Sequence, residues 1–331
     1  MNDPKGPPGE ASRASKVFVA GHRGLVGGAL VRALERAGYS RVVTAGRETL
    51  DLREQADVRA WFERERPAVV FLAAGRVGGI VANDTYPADF ARDNLLIAAN
   101  VIDAAWRSGA RKLENFASSC MYPRLCEQPM REEMLLTGAL EPTNAAYAAA
   151  KIAGVEMVRG YAKQYGFDAI NLLPANLYGP GDNFDPAAGH VVPAMLGRFH
   201  DAKRAGAPSV TVWGTGRPER EFLFVDDLAD AAVFLSETRR SPEVLNVGSG
   251  EGCSIAALAE AVRDAVGYEG RIEFDTSRPD GMPRKLLDST RVRALGWSPR
   301  TSLREGLART YAWMLENAQR GRTNEAGEVR R

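Results

Sequence analysis

Tyr147 and Lys151 stand four residues apart in the run Tyr147-Ala148-Ala149-Ala150-Lys151. On a helix that spacing puts both side chains on one face. A lysine one turn from a phenol favours its ionised form, and such a phenol can pass a proton to a carbonyl oxygen. The pair is frequent by chance, so its weight comes from its surroundings. Upstream, Phe116-Ala117-Ser118-Ser119-Cys120 ends a strand candidate and offers the Ser118 hydroxyl as a second hydrogen-bonding group for the same carbonyl.

Further upstream lies Gly21-His22-Arg23-Gly24-Leu25-Val26-Gly27, directly after the strand candidate at 16–20. Glycines let a backbone turn sharply and let a pyrophosphate reach amide N–H groups, while the next helix offers its N-terminal dipole to the anion. The spacing is G-x-x-G-x-x-G rather than the commoner G-x-G-x-x-G, and its alternative reading is a tight strand-to-helix turn. Read as a dinucleotide loop, it supplies a hydride donor to the carbonyl chemistry. A site for NAD usually ends the second strand with an acid that holds the ribose 2′-hydroxyl. Here the strand closes Val43-Thr44-Ala45-Gly46-Arg47, with no acid before Glu48. Arg23 and Arg47 could instead face a 2′-phosphate, which suits a forked guanidinium, so the expected cofactor is NADP(H). Arg47 could equally be a solvated loop charge. Asp51 is placed to contact the adenine.

These groups need a scaffold. From Lys16 onward short β-branched runs alternate with amphipathic helical stretches, the pattern of a parallel sheet with helices on both faces. Strands are expected at 16–20, 41–44, 68–73, 112–117 and 168–173, and helices at 25–37, 93–107 and 143–165. After Tyr178 the rhythm changes at a Gly/Pro/Asp loop, residues 179–189. Strands at 210–213, 222–225, 244–247 and 271–274 then mix with helices, and Ser302-x-x-Glu305 reads as a capping box for a last helix, 303–319. The expected fold class is α/β, a Rossmann doubly wound parallel sheet with a smaller mixed α/β lobe. The expected division is a disordered tail at 1–15, a dinucleotide domain at 16–178 with a return segment near 222–248, a substrate lobe mainly at 179–320, and a frayed tail at 321–331.

Composition bounds the function. The 331 residues are 45% hydrophobic with a net charge of +1, enough for a large core and without a global field favouring nucleic acid or membrane. No apolar run is long enough to span a bilayer, and the N-terminus lacks a signal-like apolar stretch. The cysteines, Cys120, Cys126 and Cys253, form no metal-binding spacing, so the expectation is no metal and a reducing, cytoplasmic compartment.

Ser118, Tyr147 and Lys151, in this order and spacing, resemble the signature of short-chain dehydrogenases/reductases. A closer resemblance, to the GDP-L-fucose synthase family, is carried by Val77-Gly78-Gly79-Ile80-Val81-Ala82-Asn83, Thr85-Tyr86-Pro87-Ala88-Asp89-Phe90 and Ser118-Ser119-Cys120-Met121-Tyr122-Pro123. Leu140-Glu141-Pro142-Thr143-Asn144, Asn176-Leu177-Tyr178-Gly179-Pro180 and the segment 279–288 (PDGMPRKLLD) extend it, from about Lys16 to Gln319. Arg76 stands where the family usually has Lys, Ala146 where a larger residue is familiar, and the loop 236–243 is short.

The resemblance implies 3,5-epimerisation of GDP-4-keto-6-deoxy-D-mannose and NADPH-dependent reduction at C4. It implies Cys120 as base and His190 as acid beside Tyr147, Lys151 and Ser118. Cofactor contacts follow from Gly21, His22, Arg23, Gly24, Leu25, Val26 and Gly27, and from Arg47 and Asp51. Phe116, Ala117, Ser118, Ser119 and Lys151 would join them, with Pro174, Ala175, Asn176, Leu177 and His190 at the nicotinamide. Arg198, Trp213, Arg220 and Asp280 are the GDP-sugar candidates; Trp213 could instead be core, and Arg220 could pair with its neighbours. The resemblance also implies a homodimer built on helices 93–107 and 143–165. A nucleotide-sugar epimerase or dehydratase that recycles NAD, or a non-catalytic NADP-binding protein, are the alternatives; neither requires Cys120 and His190 together.

Overall fold

The computed structural model describes residues 13–184, 189–238, 244–278 and 280–328, and for Ile80 and 318–328 the backbone alone. The expected tail at 1–15 lies mostly outside these residues, as do Pro279 and most of the loop 236–243.

In chain order the first half reads β1 (Val17–Ala20), α1 (Leu25–Arg36), β2 (Val42–Val43), α2 (Gln55–Glu65), β3 (Val69–Leu72), α3 (Ile80–Thr85), α4 (Pro87–Arg107), β4 (Lys112–Phe116), α5 (Ala145–Tyr165) and β5 (Ala169–Pro174). The second half is β6 (Asn176–Tyr178), α6 (Val191–Ala205), β7 (Ser209–Trp213), β8 (Glu219–Phe224), α7 (Val225–Thr238), β9 (Val244–Val247), β10 (Gly252–Ser254), α8 (Ile255–Val266), β11 (Arg271–Asp275), β12 (Arg284–Lys285), α9 (Thr290–Ala294) and α10 (Leu303–Glu328).

Six strands form one parallel sheet in the order β2-β1-β3-β4-β5-β9. Strands β1 and β3 are buried along their whole length, as expected of strands covered on both faces. One face packs against α1 and α7 through Leu30, Leu34, Leu228 and Leu235. The other packs against α2, α4 and α5 through Val58, Phe62, Ile102 and Val158. A third cluster, around Leu196, Phe199, Phe222, Leu258 and Leu307, is the core of the second lobe. There β8 is flanked by β10 and β12 and also pairs with β6, while β11 pairs with β7. The chain leaves β8 directly into α7, returns to the large sheet at β9, and so passes between the lobes more than once.

Three boundaries differ from the sequence pattern. Helix α4 begins at Pro87, six residues early, because proline suits the first turn, where its missing N–H costs nothing. Strand β2 shrinks to two residues. The last helix starts where expected, with the Glu305 N–H donating to the Ser302 hydroxyl at 3.3 Å, but continues to Glu328 through the stretch expected to fray.

One core residue runs against the pattern of the sheet. Glu114 in β4 sits opposite Phe71 and Ile170, fully buried, with neither carboxylate oxygen hydrogen-bonded. Burial holds its carboxyl well above the ordinary value of 4.5, and the nearby Lys112 only partly opposes this. The folded state therefore binds this proton more tightly than the unfolded chain. Its stabilising share is present below pH 4.5 and is lost as pH rises towards the elevated value. Glu114→Leu is expected to stabilise the fold by about 1–3 kcal/mol at pH 8, with a smaller gain at pH 5. Thermal melts at the two pH values check this, and a variant less stable at pH 8 would contradict it.

Candidate active site

The glycine segment crosses from β1 to α1 at the carboxyl end of the sheet. Gly21 has φ +86°, and a Cβ there would lie 2.7 Å from the Ala74 Cα on the crest after β3. A Cβ on Gly27 would lie 2.1 Å from the Gly21 carbonyl oxygen. Both positions therefore exclude side chains, and the turn and helix close on one another. Gly24 caps α1 without a side-chain acceptor, which leaves the first-turn amides to an anion. This bare cradle fits a dinucleotide pyrophosphate. Next to it, a Cβ on Gly75 would approach Asn94 Oδ1 at 2.7 Å and Lys151 Nζ at 3.4 Å, so the cradle leads to the lysine.

The two arginines assigned to a 2′-phosphate are engaged rather than free. Arg23 makes a forked pair with Glu48 at 2.6 and 3.0 Å, and Arg47 reaches Asp51 at 3.3 Å. Asp51 also takes a fork from Arg53, which holds its carboxyl far below the usual range. Glu48, the acid passed over in the sequence, lies over Gly46, where a Cβ would meet it at 2.2 Å. His22 is held below its ordinary value by burial and then by the Arg23 charge.

Tyr147 and Lys151 come together on α5, with the ammonium 5.9 Å from the ring centre. Lys151 donates to the Phe116 carbonyl at 3.0 Å, which ties α5 to the end of β4. Ser118 begins the following turn and accepts from the Cys120 N–H at 3.1 Å, so the hydroxyl and the thiol share one short 3-10 turn. One expectation fails here. Tyr147 is not brought down by its lysine; burial pushes the phenol up, the nearby Cys120 adds to this, and Ser118 opposes it. Lys151 is itself brought down to about 8 by burial. The deep, low-dielectric position of both polar tips outweighs a single cation.

Residues to which sequence reasoning gave no role at the phenol brace it. Phe90 meets the Tyr147 ring edge-on at 6.3 Å, and Arg76 lies over Phe90 at 5.4 Å. Arg76 also pairs with Asp89 at 3.1 Å and Asp93 at 3.3 Å. The arginine that departs from the family pattern thus pins the 76–79 segment to α4. Asn83 closes that segment by donating to the Gly78 and Gly79 carbonyls. The motifs Val77–Asn83 and Thr85–Phe90 and the departure at Arg76 marked this region in advance, but not these contacts.

His190 precedes α6, with Nδ1 3.9 Å from the buried Asp182 carboxylate. In the second lobe Trp213 is 58% exposed rather than core. Arg198 and Arg278 lie 5.5 and 5.2 Å from its ring centre. Asp280 accepts from Thr215 N and Oγ1 at 2.8 and 2.6 Å, beneath Gly214. Arg220 donates to the Glu219 and Met282 carbonyls; burial holds its guanidinium below the ordinary value, and Asp280 opposes this only in part. An aromatic face with cations around it suits a base and its phosphates. Pro174, Ala175, Asn176 and Leu177 run from the end of β5 into β6, where Asn176 donates to the Glu221 carbonyl at 2.8 Å.

Comparison with known proteins agrees with this arrangement. Residues 17–248 match the NAD dependent epimerase/dehydratase family. GDP-L-fucose synthase 1 of Arabidopsis thaliana is 53% identical over 93% of this chain and 95% of its own. The GDP-L-fucose synthase of Escherichia coli (strain K12) is 50% identical over 93% and 98%. Among solved structures, a GDP-L-fucose synthetase of Naegleria fowleri bound to NADP superposes with a TM-score of 0.87 at 29% identity, covering 94% of this chain and 96% of that one. A glycine cradle, a Ser-Tyr-Lys set with an adjoining thiol, and relatives half identical over nearly the full length lead to one conclusion: the chain belongs to the NAD dependent epimerase/dehydratase family and, within it, to the GDP-L-fucose synthases.

Proposed function

We propose that the protein converts GDP-4-keto-6-deoxy-D-mannose to GDP-L-fucose, by epimerisation at C3 and C5 followed by NADPH-dependent reduction at C4. The observation that carries this is the Ser118–Cys120 turn beside Tyr147, which sets a thiol next to two hydroxyls suited to one carbonyl oxygen. A simple reductase has no use for the thiol.

C3 and C5 are both α to the C4 carbonyl, so removing either proton gives an enolate whose charge rests on the C4 oxygen. Ser118 and Tyr147 hold that oxygen. Cys120 takes the proton on one face of the ring, and His190, oriented by Asp182, returns one on the other. Bound NADPH supplies the hydride that C4 receives. Tyr147 then gives its proton to the new alkoxide; burial keeps the phenol protonated until such a strong base forms, which suits an acid. Lys151 holds the nicotinamide ribose and the charge beside the phenol.

The cofactor half comprises residues 16–175 with α7 and β9; the expected boundary at 178 moves back because β6 pairs with β8, and the rest holds the sugar nucleotide around Arg198, Trp213, Arg220 and Asp280. Leu95 and Leu96 on α4 and Tyr165 on α5 stay exposed on adjacent long helices, a face suited to a second copy of the chain. No helix among the described residues is long and apolar enough to cross a membrane, and the three free thiols fit the cytoplasm.

The direct test is incubation of the purified protein with the 4-keto sugar nucleotide and NADPH, with identification of the product sugar. Turnover without stoichiometric NADPH consumption would overturn the reading. Cofactor choice is tested separately. Arg23→Ala is expected to raise KM for NADPH about tenfold and leave KM for NADH unchanged, because only the 2′-phosphate needs the guanidinium. Equal effects on both cofactors would remove Arg23 from phosphate recognition.

A further inference from the structure

We infer that Lys285 is the cation that makes Cys120 available as a base. Its ammonium lies 3.8 Å from the Cys120 sulfur, although the two residues come from different lobes. The inference rests on the reading of Cys120 as the epimerisation base.

The position of Lys285 is set firmly. Strand β12 pairs with β8, placing Lys285 opposite Arg220. On the other edge, Leu286 N donates to Gln128 Oε1 at 2.8 Å, and Met130 N donates to the Leu286 carbonyl at 2.8 Å. Leu287 N donates to Glu221 Oε2 at 2.7 Å. A backbone clamped on both sides fixes the point from which the side chain reaches the thiol.

The charges around it leave the ammonium to the thiol. Arg284 takes the Glu219 carboxylate at 3.1 Å. Arg220 turns to the carbonyls of Glu219 and Met282. Among the described residues no carboxylate lies within ion-pair distance of Lys285, and the Cys120 sulfur is its hydrogen-bond acceptor. A second thiol, Cys126, also feels the Lys285 charge, but burial outweighs it and pushes that thiol up. Facing Cys120 are therefore Lys285 from β12, the neutral Tyr147 phenol from α5 and the Ser118 hydroxyl.

A cation at this range favours the thiolate. When the thiolate attacks, an S–H bond forms as the C–H bond at C3 or C5 breaks, and the C–H electron pair passes to the C4 oxygen. Lys285 touches the sulfur but transfers no proton itself, and acts by positioning charge.

The test uses the full-length protein without sugar. Iodoacetamide is reacted over a range of pH, an S–C bond forming as iodide leaves, and modification is mapped by mass spectrometry to Cys120, Cys126 and Cys253. In Lys285→Met alkylation of Cys120 at pH 7 is expected to be roughly tenfold slower. Lys285→Arg restores most of the rate, and Cys253 is unchanged in both. NADPH titration confirms that the variants are folded. With sugar nucleotide present, deuterium uptake from solvent at C3 and C5 falls about tenfold in Lys285→Met. A Cys120 alkylation profile identical in Lys285→Met and the unaltered protein overturns the inference. A shifted profile in a protein that never exchanges C3 or C5 protons leaves the Lys285–Cys120 coupling standing and overturns the assigned reaction instead.

Discussion

Tyr147→Phe lowers the rate of NADPH-dependent reduction by about two to four orders of magnitude, the range over which a positioned proton donor contributes. The substitution removes one oxygen and keeps the ring. Its edge-on contact with Phe90 at 6.3 Å and its place beside Lys151 at 5.9 Å both survive, so the fold and NADPH affinity stay close to those of the unaltered protein. Ser118 remains to hold the C4 oxygen, so deuterium exchange at C3 and C5 falls less than reduction. Single-turnover decay of NADPH absorbance measures the first rate and isotope incorporation the second. A loss in reduction smaller than tenfold would show that another group protonates the alkoxide. Lys151 adds a pH signature. Burial brings it to about 8, so it is charged below that pH and neutral above it. The kcat/KM for NADPH, which reports the free enzyme, is therefore expected to decline as pH rises through about 8.

Cys120→Ser divides the two half-reactions. A hydroxyl is a far poorer base than a thiolate at neutral pH, so isotope exchange at C3 and C5 is expected to drop by at least about a hundredfold. Reduction of a ketone already epimerised should continue near the original rate, because the Ser118, Tyr147 and Lys151 side chains are untouched. The Cys120 contact to Ser118 is made by the backbone N–H, which serine retains. Given the original 4-keto sugar, this variant would form the un-epimerised 6-deoxy sugar, visible by chromatography and NMR. Equal loss of exchange and reduction would show that Cys120 shapes the whole pocket rather than moving one set of protons.

Local pattern was sufficient for much of the site. The glycine turn, the Tyr147–Lys151 spacing and the Ser118–Cys120 turn each lie within a few residues, so their geometry follows from short-range backbone rules. The alternation of β-branched strands and amphipathic helices likewise announces a covered parallel sheet. Charge partners were not legible in this way. Glu48 was passed over because strand β2 ends before it, yet it lies across the turn from Arg23, 25 residues away. Arg76 read as a departure in a loop and proved to be the clamp on Phe90.

The sequence alone determined the fold class, the dinucleotide loop and the residues available for proton transfer, since each depends on neighbours along the chain. Tertiary structure decided their electrostatics. Burial at the site, not the adjacent lysine, sets the Tyr147 phenol on α5, and burial governs Glu114 within the sheet. Lys285 reaches Cys120 across 165 residues because β12 is pinned between β8 and the Gln128–Met130 segment. Desolvation and long-range charge depend on what packs around a group, and only the folded chain specifies that.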